Sequence, residues 1–231
     1  MKHFPPFGHF SEKISTFPTK ICEVAFFFVP LHAEMEENRV EKYNQDDLQA
    51  ALRVLRSGGI LLYPTDTIWG IGCDATNSAA VKRIFELKRR EDSKSMLVLL
   101  DTADKLGRYV DVPEAAMSLL DATSEGRPMT IIYPNACGLA PELIAEDGSV
   151  GIRITQEAFS KALCAGLGRP VVSTSANISG EPAAATFGQI TEAVINGVDY
   201  VCRYRRNDNT PKQASAILKI NTDNTFNIIR S

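Results

Sequence analysis

Histidine is almost missing from this chain. Three occur, His3, His9 and His32, and none follows in the rest of the 231 residues. That removes Ser-His and Cys-His nucleophilic machinery from the body of the protein, together with any histidine-ligated metal. Cysteine is sparse as well. Cys22, Cys73, Cys137, Cys164 and Cys202 are odd in number and widely spaced, with no C-x-x-C pair. A zinc site or a disulfide framework needs closer spacing, so these read as free thiols, mostly buried, in a reducing compartment. There is no G-x-x-x-x-G-K-[ST] and no G-x-G-x-x-G, which excludes a P-loop and a dinucleotide fingerprint. No charge of one sign dominates: 25 Lys and Arg against 28 Asp and Glu give a net charge of -3. Bulk attraction to nucleic acid is therefore absent, and any phosphate binding must come from a local basic cluster. No metal site is expected. What remains for chemistry is hydroxyls, amides, carboxylates, Lys, Arg and the backbone.

What is present suffices for a globular body: 44% of residues are hydrophobic, enough for one buried core with a tail. Residues 1–38 hold Pro5-Pro6, scattered Phe and Ser and an apolar run from Val24 to Leu31, without a sustained period. The run is too short to cross a bilayer. A signal-peptide core is opposed by Glu23 at its edge and by the twenty-odd residues before it. The expectation is a disordered or poorly ordered N-terminal extension over 1–38, with Met35 as an alternative start of translation, and a single domain over 39–231.

That domain reads as interleaved helices and strands. Asn44 caps a helix carrying Leu48, Leu52 and Leu55 on one face and stopped by Gly58-Gly59. Asn77-Ser78 opens a second helix, with Val81, Ile84 and Phe85, that ends in Lys88-Arg89-Arg90. Further helices are expected from Pro113 to Leu120, Glu157 to Leu167 and Gly188 to Asn196. Strands are expected at Ile60–Tyr63, Met96–Leu100, Met129–Tyr133, Val150–Ile154, Val171–Val172, Asp199–Cys202, Ser215–Ile220 and Thr225–Ile229. The fold class is α/β: a single domain with an open twisted mixed sheet flanked by helices.

Three constellations can carry chemistry. Tyr63-Pro64-Thr65-Asp66-Thr67, continuing to Gly72, follows a strand, and open α/β sheets bind ligands beyond strand ends. The competing reading is a turn whose Thr and Asp satisfy their own backbone. Lys88-Arg89-Arg90-Glu91-Asp92-Ser93-Lys94 ends a helix. There cations complement the helix dipole or form a clamp on nucleotide phosphates. Ser173-Thr174-Ser175-Ala176-Asn177 places three hydroxyls and an amide in five residues, more than a turn needs.

With Arg127-Pro128-Met129-Thr130 and Gly148-Ser149-Val150-Gly151-Ile152-Arg153, these segments resemble, in order and spacing, the YrdC family of threonylcarbamoyl-AMP synthases. The resemblance covers about 45 to 220. It implies a YrdC-like nucleotidyltransferase that condenses L-threonine, bicarbonate and ATP to threonylcarbamoyl-AMP and pyrophosphate. A partner tRNA threonylcarbamoyl transferase complex would then complete the tRNA modification. The implied location is cytoplasmic, with no membrane association and with tRNA met indirectly or weakly. It assigns Thr67, Arg153, Ser173 and Ser215 to threonine. Arg90, Lys94, Ser149, Ser175, Asn177 and Arg230 fall to ATP, and Lys88 joins Arg90 as the catalytic basic pair on the phosphates. Mg2+ is expected with ATP, held mostly by phosphates and water.

The chain departs from the family pattern where Arg89 and Glu91 replace the Gly and Pro of Lys-Gly-Arg-Pro, Ser95-Met96 replaces Pro-Leu, and Trp69 replaces Tyr. Two alternatives remain. A YciO-like paralogue is one, although such sequences tend to lose the Lys-x-Arg pair and the Ser-Ala-Asn ending. The other is a double-stranded RNA-binding module of the same fold, which would need a broad basic face.

Overall fold

A computed structural model describes residues 43–89, 96–123, 128–210, 212 and 214–230. All belong to the second of two units into which the chain divides, Glu41–Ser231. The expected N-terminal extension, Arg90, Lys94 and Arg127 lie outside the described residues. In chain order come α1 (Gln45–Arg56), β1 (Leu61–Tyr63), β2 (Gly70–Gly72), α2 (Ser78–Lys88), β3 (Leu97–Leu100), α3 (Glu114–Thr123) and β4 (Met129–Tyr133). Then follow β5 (Val150–Ile154), α4 (Ala158–Leu167), β6 (Val171–Ser175), α5 (Glu192–Gly197), β7 (Tyr200–Val201), β8 (Ala216–Ile220) and β9 (Phe226–Arg230).

Local chemistry sets the boundaries. The Asn44 side-chain oxygen accepts from the amides of Asp46 (2.7 Å) and Asp47 (3.3 Å), satisfying donors that the first turn of α1 leaves open. Asn77 caps α2 in the same way through the Ala80 amide. Glu157 caps α4, which ends at Gly168 with φ 72°. Two expectations need correction. The helix expected over 188–196 is split into a 3-10 turn, Phe187–Gln189, and the short α5. The reason is local: Thr186 and Gln189 close a capping box, and Ile190 is extended. Gly70–Gly72, read as part of a loop, is strand β2. Its glycines hide a strand pattern, but a Cβ on Gly72 would sit 2.3 Å from the Val172 carbonyl oxygen, so close backbone approach explains the residue.

The strands form one mixed sheet in the order β7-β1-β2-β6-β3-β5-β4-β8-β9. β1–β7, β3–β5 and β4–β8 pair parallel; the other neighbours pair antiparallel. Side chains alternate between its faces. Leu62, Ile71, Val98, Leu100, Ile131, Ile152 and Val172 point to one face, where Val81, Ile84 and Phe85 of α2 join the core. On the other face Leu61, Tyr63, Leu99 and Val171 are covered by Leu48, Leu52 and Leu55 of α1 and by Leu163 and Leu167 of α4. Further along that second face the register brings Leu97 opposite Ser173, Leu99 beside Arg153, Gly151 opposite Ile132 and Thr130 beside Ile217. There apolar floor gives way to Arg, Ser and Thr. Helices cover one half of the face, and cavities lie over the other.

Candidate active site

Two cavities adjoin on this half-face, sharing Met96, Leu97 and Ile217 as wall. The smaller, about 220 Å³, is lined by Thr67, Arg153, Ser173, Ser175, Ser215 and Arg230 among others. The larger, about 840 Å³, has a floor of Leu97, Ile132, Gly151 and Ile217 and a rim with Glu146, Asp147, Ser149 and Lys219.

The loop after β1 supplies one wall of the smaller cavity. Thr65 is 2% exposed and its hydroxyl is fully engaged: it donates to the Ile68 carbonyl (2.7 Å), accepts from the Thr67 amide (3.1 Å) and meets the Thr67 hydroxyl (3.1 Å). Thr65 builds the turn, and Thr67 is presented by it. The Thr67 hydroxyl accepts from Arg153 Nη1 at 3.2 Å, while Asp66 Oδ1 lies 3.2 Å from Arg153 Nη2. Arg153 is only 3% exposed, and its Nε has no hydrogen-bond acceptor among the described residues. A buried charged donor without a partner costs on the order of 1–3 kcal/mol. Arg153 also lines the adjoining cavity, where a carboxylate would match its planar guanidinium. Behind this wall Tyr63 is fully buried and donates to the Val172 carbonyl at 2.9 Å. Burial pushes its phenol well above the usual range, so it stays a neutral strut.

The far end of the smaller cavity is built by β8 and β9. Ser215 shares a hydrogen bond with Thr130 (2.9 Å), and Arg230 Nε donates to the Ser215 carbonyl (2.9 Å). Arg230 thus stands at the cavity wall, to which β6 adds Ser173 and Ser175. Ser149 stands in the larger cavity. Thr67, Arg153, Ser173, Ser175, Ser215, Arg230 and Ser149 thus come together on one cleft, from positions spread over most of the domain.

Lys88 and Asn177 are placed differently. Lys88 is 1% exposed, and its ammonium donates to the carbonyls of Ser175 (2.5 Å) and Asn177 (2.6 Å) and to the Asn177 side-chain oxygen (3.4 Å). The Asn177 amide donates in turn to the carbonyls of Ile178 (3.1 Å) and Glu181 (2.6 Å). Neither side chain lines the two cavities. Lys88, expected on the phosphates, is tied to the Ser173–Asn177 segment. A buried ammonium needs acceptors, and three backbone and side-chain oxygens of that segment supply them. Asn177, expected to shape a nucleotide pocket, stands in this same segment. Arg90 and Lys94 lie outside the described residues.

Several contributors escape a motif reading. Asp47, 1% exposed inside α1, accepts from the Tyr200 hydroxyl (2.7 Å) and from the amides of Arg203 and Tyr204, fixing the segment after β7. From that segment Arg205, held by Asp208, donates to the Thr65 carbonyl at 3.0 Å. Trp69 packs against the ring of Phe187 at 4.8 Å, with Arg206 over the same ring. No sequence signal marks the pairs Asp47–Tyr200, Thr65–Arg205 and Trp69–Phe187, because each joins positions more than a hundred residues apart. Burial pushes the Cys73, Cys164 and Cys202 thiols upward and keeps them unreactive, whereas Cys137 is free and exposed.

An α/β fold of this topology, with an arginine-lined small cavity beside a large one on a half-covered sheet face, is built to take small polar ligands. The model of the Sua5/YciO/YrdC family, described as "Telomere recombination", matches residues 53–231, and the chain belongs to that family. It is 36% identical over 157 residues to the threonylcarbamoyl-AMP synthase of Xanthomonas euvesicatoria pv. vesicatoria, covering 67% of this chain and 84% of that protein. It is 37% identical over 158 residues to the threonylcarbamoyl-AMP synthase of Stutzerimonas stutzeri, covering 65% and 84%. Among solved structures, E. coli YciO superposes with a TM-score of 0.70 at 22% identity, covering 81% of this chain and 90% of that one. P. abyssi Sua5 complexed with L-threonine superposes at 0.68 and 23% identity, covering 77% of this chain and about half (52%) of that one. The two structures establish the fold.

Proposed function

We propose that the chain is an L-threonylcarbamoyladenylate synthase, condensing L-threonine, bicarbonate and ATP to threonylcarbamoyl-AMP with release of pyrophosphate. The observation that carries this is the buried Arg153, its Nε unpaired, beside Thr67 at the wall of a small hydroxyl-lined cavity that adjoins a nucleotide-sized one. The relatives named threonylcarbamoyl-AMP synthase support it over 84% of their length.

In this reading the threonine carboxylate pairs with Arg153, and its polar groups meet Thr67, Ser173 and Ser215. The amine attacks bicarbonate, water leaves, and the carbamate oxygen attacks the α-phosphorus of ATP as pyrophosphate departs. Holding amine, bicarbonate and phosphorus in one cleft converts encounters into local steps, which needs no histidine base. Ser175 in the smaller cavity donates a hydrogen bond to the triphosphate, while Arg230 there, with Arg90 and Lys94, neutralises its charge. Among the described residues no group of three or more His, Cys, Asp or Glu side chains is placed to hold a metal. A Mg2+ arriving with ATP would be held mostly by phosphates and water. The product goes on to a tRNA threonylcarbamoyl transferase, and both would work in the cytoplasm. No helix among the described residues is long and apolar enough to cross a membrane.

The test is pyrophosphate release from ATP with each co-substrate omitted in turn. Release that requires both threonine and bicarbonate is expected. Release indifferent to threonine, or RNA binding with steep salt dependence and no ATP consumption, would refute the reading.

A further inference from the structure

A pair of hydroxyls joins the two cavities. Thr130 lines the larger one and Ser215 the smaller, and their oxygens lie 2.9 Å apart, each residue only 2% exposed. Strand pairing holds them there. β4 and β8 run parallel with Met129 opposite Ala216, and the Ala216 amide donates to the Pro128 carbonyl at 3.0 Å, so the chain enters β8 with Ser215 beside Thr130. Thr130 is fixed from its other side as well. Its Cγ2 sits where a Cβ on Gly151 would come within 3.4 Å. With the methyl of this β-branched side chain seated there, the hydroxyl is left to Ser215.

A distance of 2.9 Å fits donation in either direction, and the surroundings decide between them. Arg230 Nη2 donates to Ser215 Oγ at 3.4 Å, while its Nε takes the Ser215 carbonyl at 2.9 Å. The described residues lining the smaller cavity include Arg153 and Arg230 but no carboxylate, so the cavity suits an anionic ligand. A hydroxyl that faces an anion must donate. Ser215 has one proton and two lone pairs. When the proton goes to the ligand, Arg230 takes one lone pair, and the other is filled if Thr130 donates. Thr130 has then spent its own proton and offers lone pairs to the larger cavity, which no described residue fills.

We propose that Thr130 is a positioning residue: it donates to Ser215, sets Ser215 as a donor to the ligand of the smaller cavity, and so couples the filling of the two cavities. A hydroxyl or amino group that donates to Thr130 from the larger cavity completes a chain running one way, through Thr130 and Ser215 to threonine. Hydrogen bonds in such a chain polarise one another, so each strengthens the next. By linkage, each ligand then raises the affinity for the other by one shared factor. The inference rests on the synthase reading above, with threonine in the smaller cavity and ATP beside it.

The experiment measures by calorimetry the Kd of L-threonine for the full chain, alone and with saturating α,β-methylene ATP, which cannot release pyrophosphate. The ratio of the two constants is the coupling, and in the wild type it should be at least about fivefold in favour of the ternary complex. Thr130→Val keeps the shape and removes the hydroxyl. It should cut the ratio by roughly threefold to tenfold, the value of about one hydrogen bond. Thr130→Ser restores the hydroxyl and should hold the ratio within about twofold of the wild type. Ser215→Ala should lower it as far as Thr130→Val does, and the double variant no further. An uncoupled wild type would overturn the inference and leave the synthase reading intact. So would threonine binding weakened in Thr130→Val at an unchanged ratio, the mark of a merely structural part, or a ratio lost equally in Thr130→Ser. Failure of the wild type to bind either ligand would overturn both.

Discussion

At the scale of single residues, charge in this protein is decided by what each cation can reach. Arg153 and Lys88 are equally buried, yet one keeps an unpaired N–H beside a cavity and the other spends its ammonium on carbonyl oxygens. Arg153→Lys retains the charge but loses the planar fork. Its expected effect is a threonine KM raised by at least about tenfold, with the ATP KM within about twofold, since the lost contact is to a carboxylate. Equal rises in both would contradict the placement. Lys88→Met leaves several acceptors bare and should cost about 2–4 kcal/mol in urea unfolding, with activity lost through the displaced Ser173–Asn177 segment. Arg89 tells the opposite story. It ends α2 in the left-handed region at φ 49°, where family members usually carry glycine. Arg89→Gly should raise stability by about 1 kcal/mol, read as a higher urea midpoint at unchanged slope.

At the scale of elements, the helices and most strands were legible because their signals are local. Asn44 and Asn77 cap where they were expected to, and Leu48, Leu52 and Leu55 share the face that the period assigns them. β2 was not legible, since Gly70-Ile71-Gly72 carries no strand period and is a strand because it pairs with β1 and β6, where the Val172 carbonyl leaves no room for a Cβ on Gly72. Gly72→Ala should therefore destabilise by about 1–3 kcal/mol and disturb the Thr67 loop; a neutral result in thermal unfolding would contradict that packing. The site was legible as residue types at strand ends, but not as a set of roles. Arg205, which reaches the Thr65 carbonyl from beyond β7, bears no motif at all. Arg205→Ala should raise the threonine KM several-fold, because one hydrogen bond worth about 1 kcal/mol steadies the turn that presents Thr67. Steady-state kinetics in threonine at saturating ATP would check this.

At the scale of the whole molecule, half of one sheet face is closed by α1 and α4, and the other half carries the adjoining cavities in which positions from Thr67 to Arg230 meet. Such convergence is set by strand order, and no local pattern announces that β5 lies beside β3 with β6 on the other side. The central claim is that this one cleft joins threonine, bicarbonate and ATP. It is tested most directly by the mass spectrum of the product formed from carbon-labelled bicarbonate, L-threonine and ATP. The predicted product is an adenylate that contains threonine and carries the label in its carbamoyl carbon, with one pyrophosphate released for each molecule formed. An adenylate without the label, or threonine joined to AMP directly through its carboxylate, would contradict it.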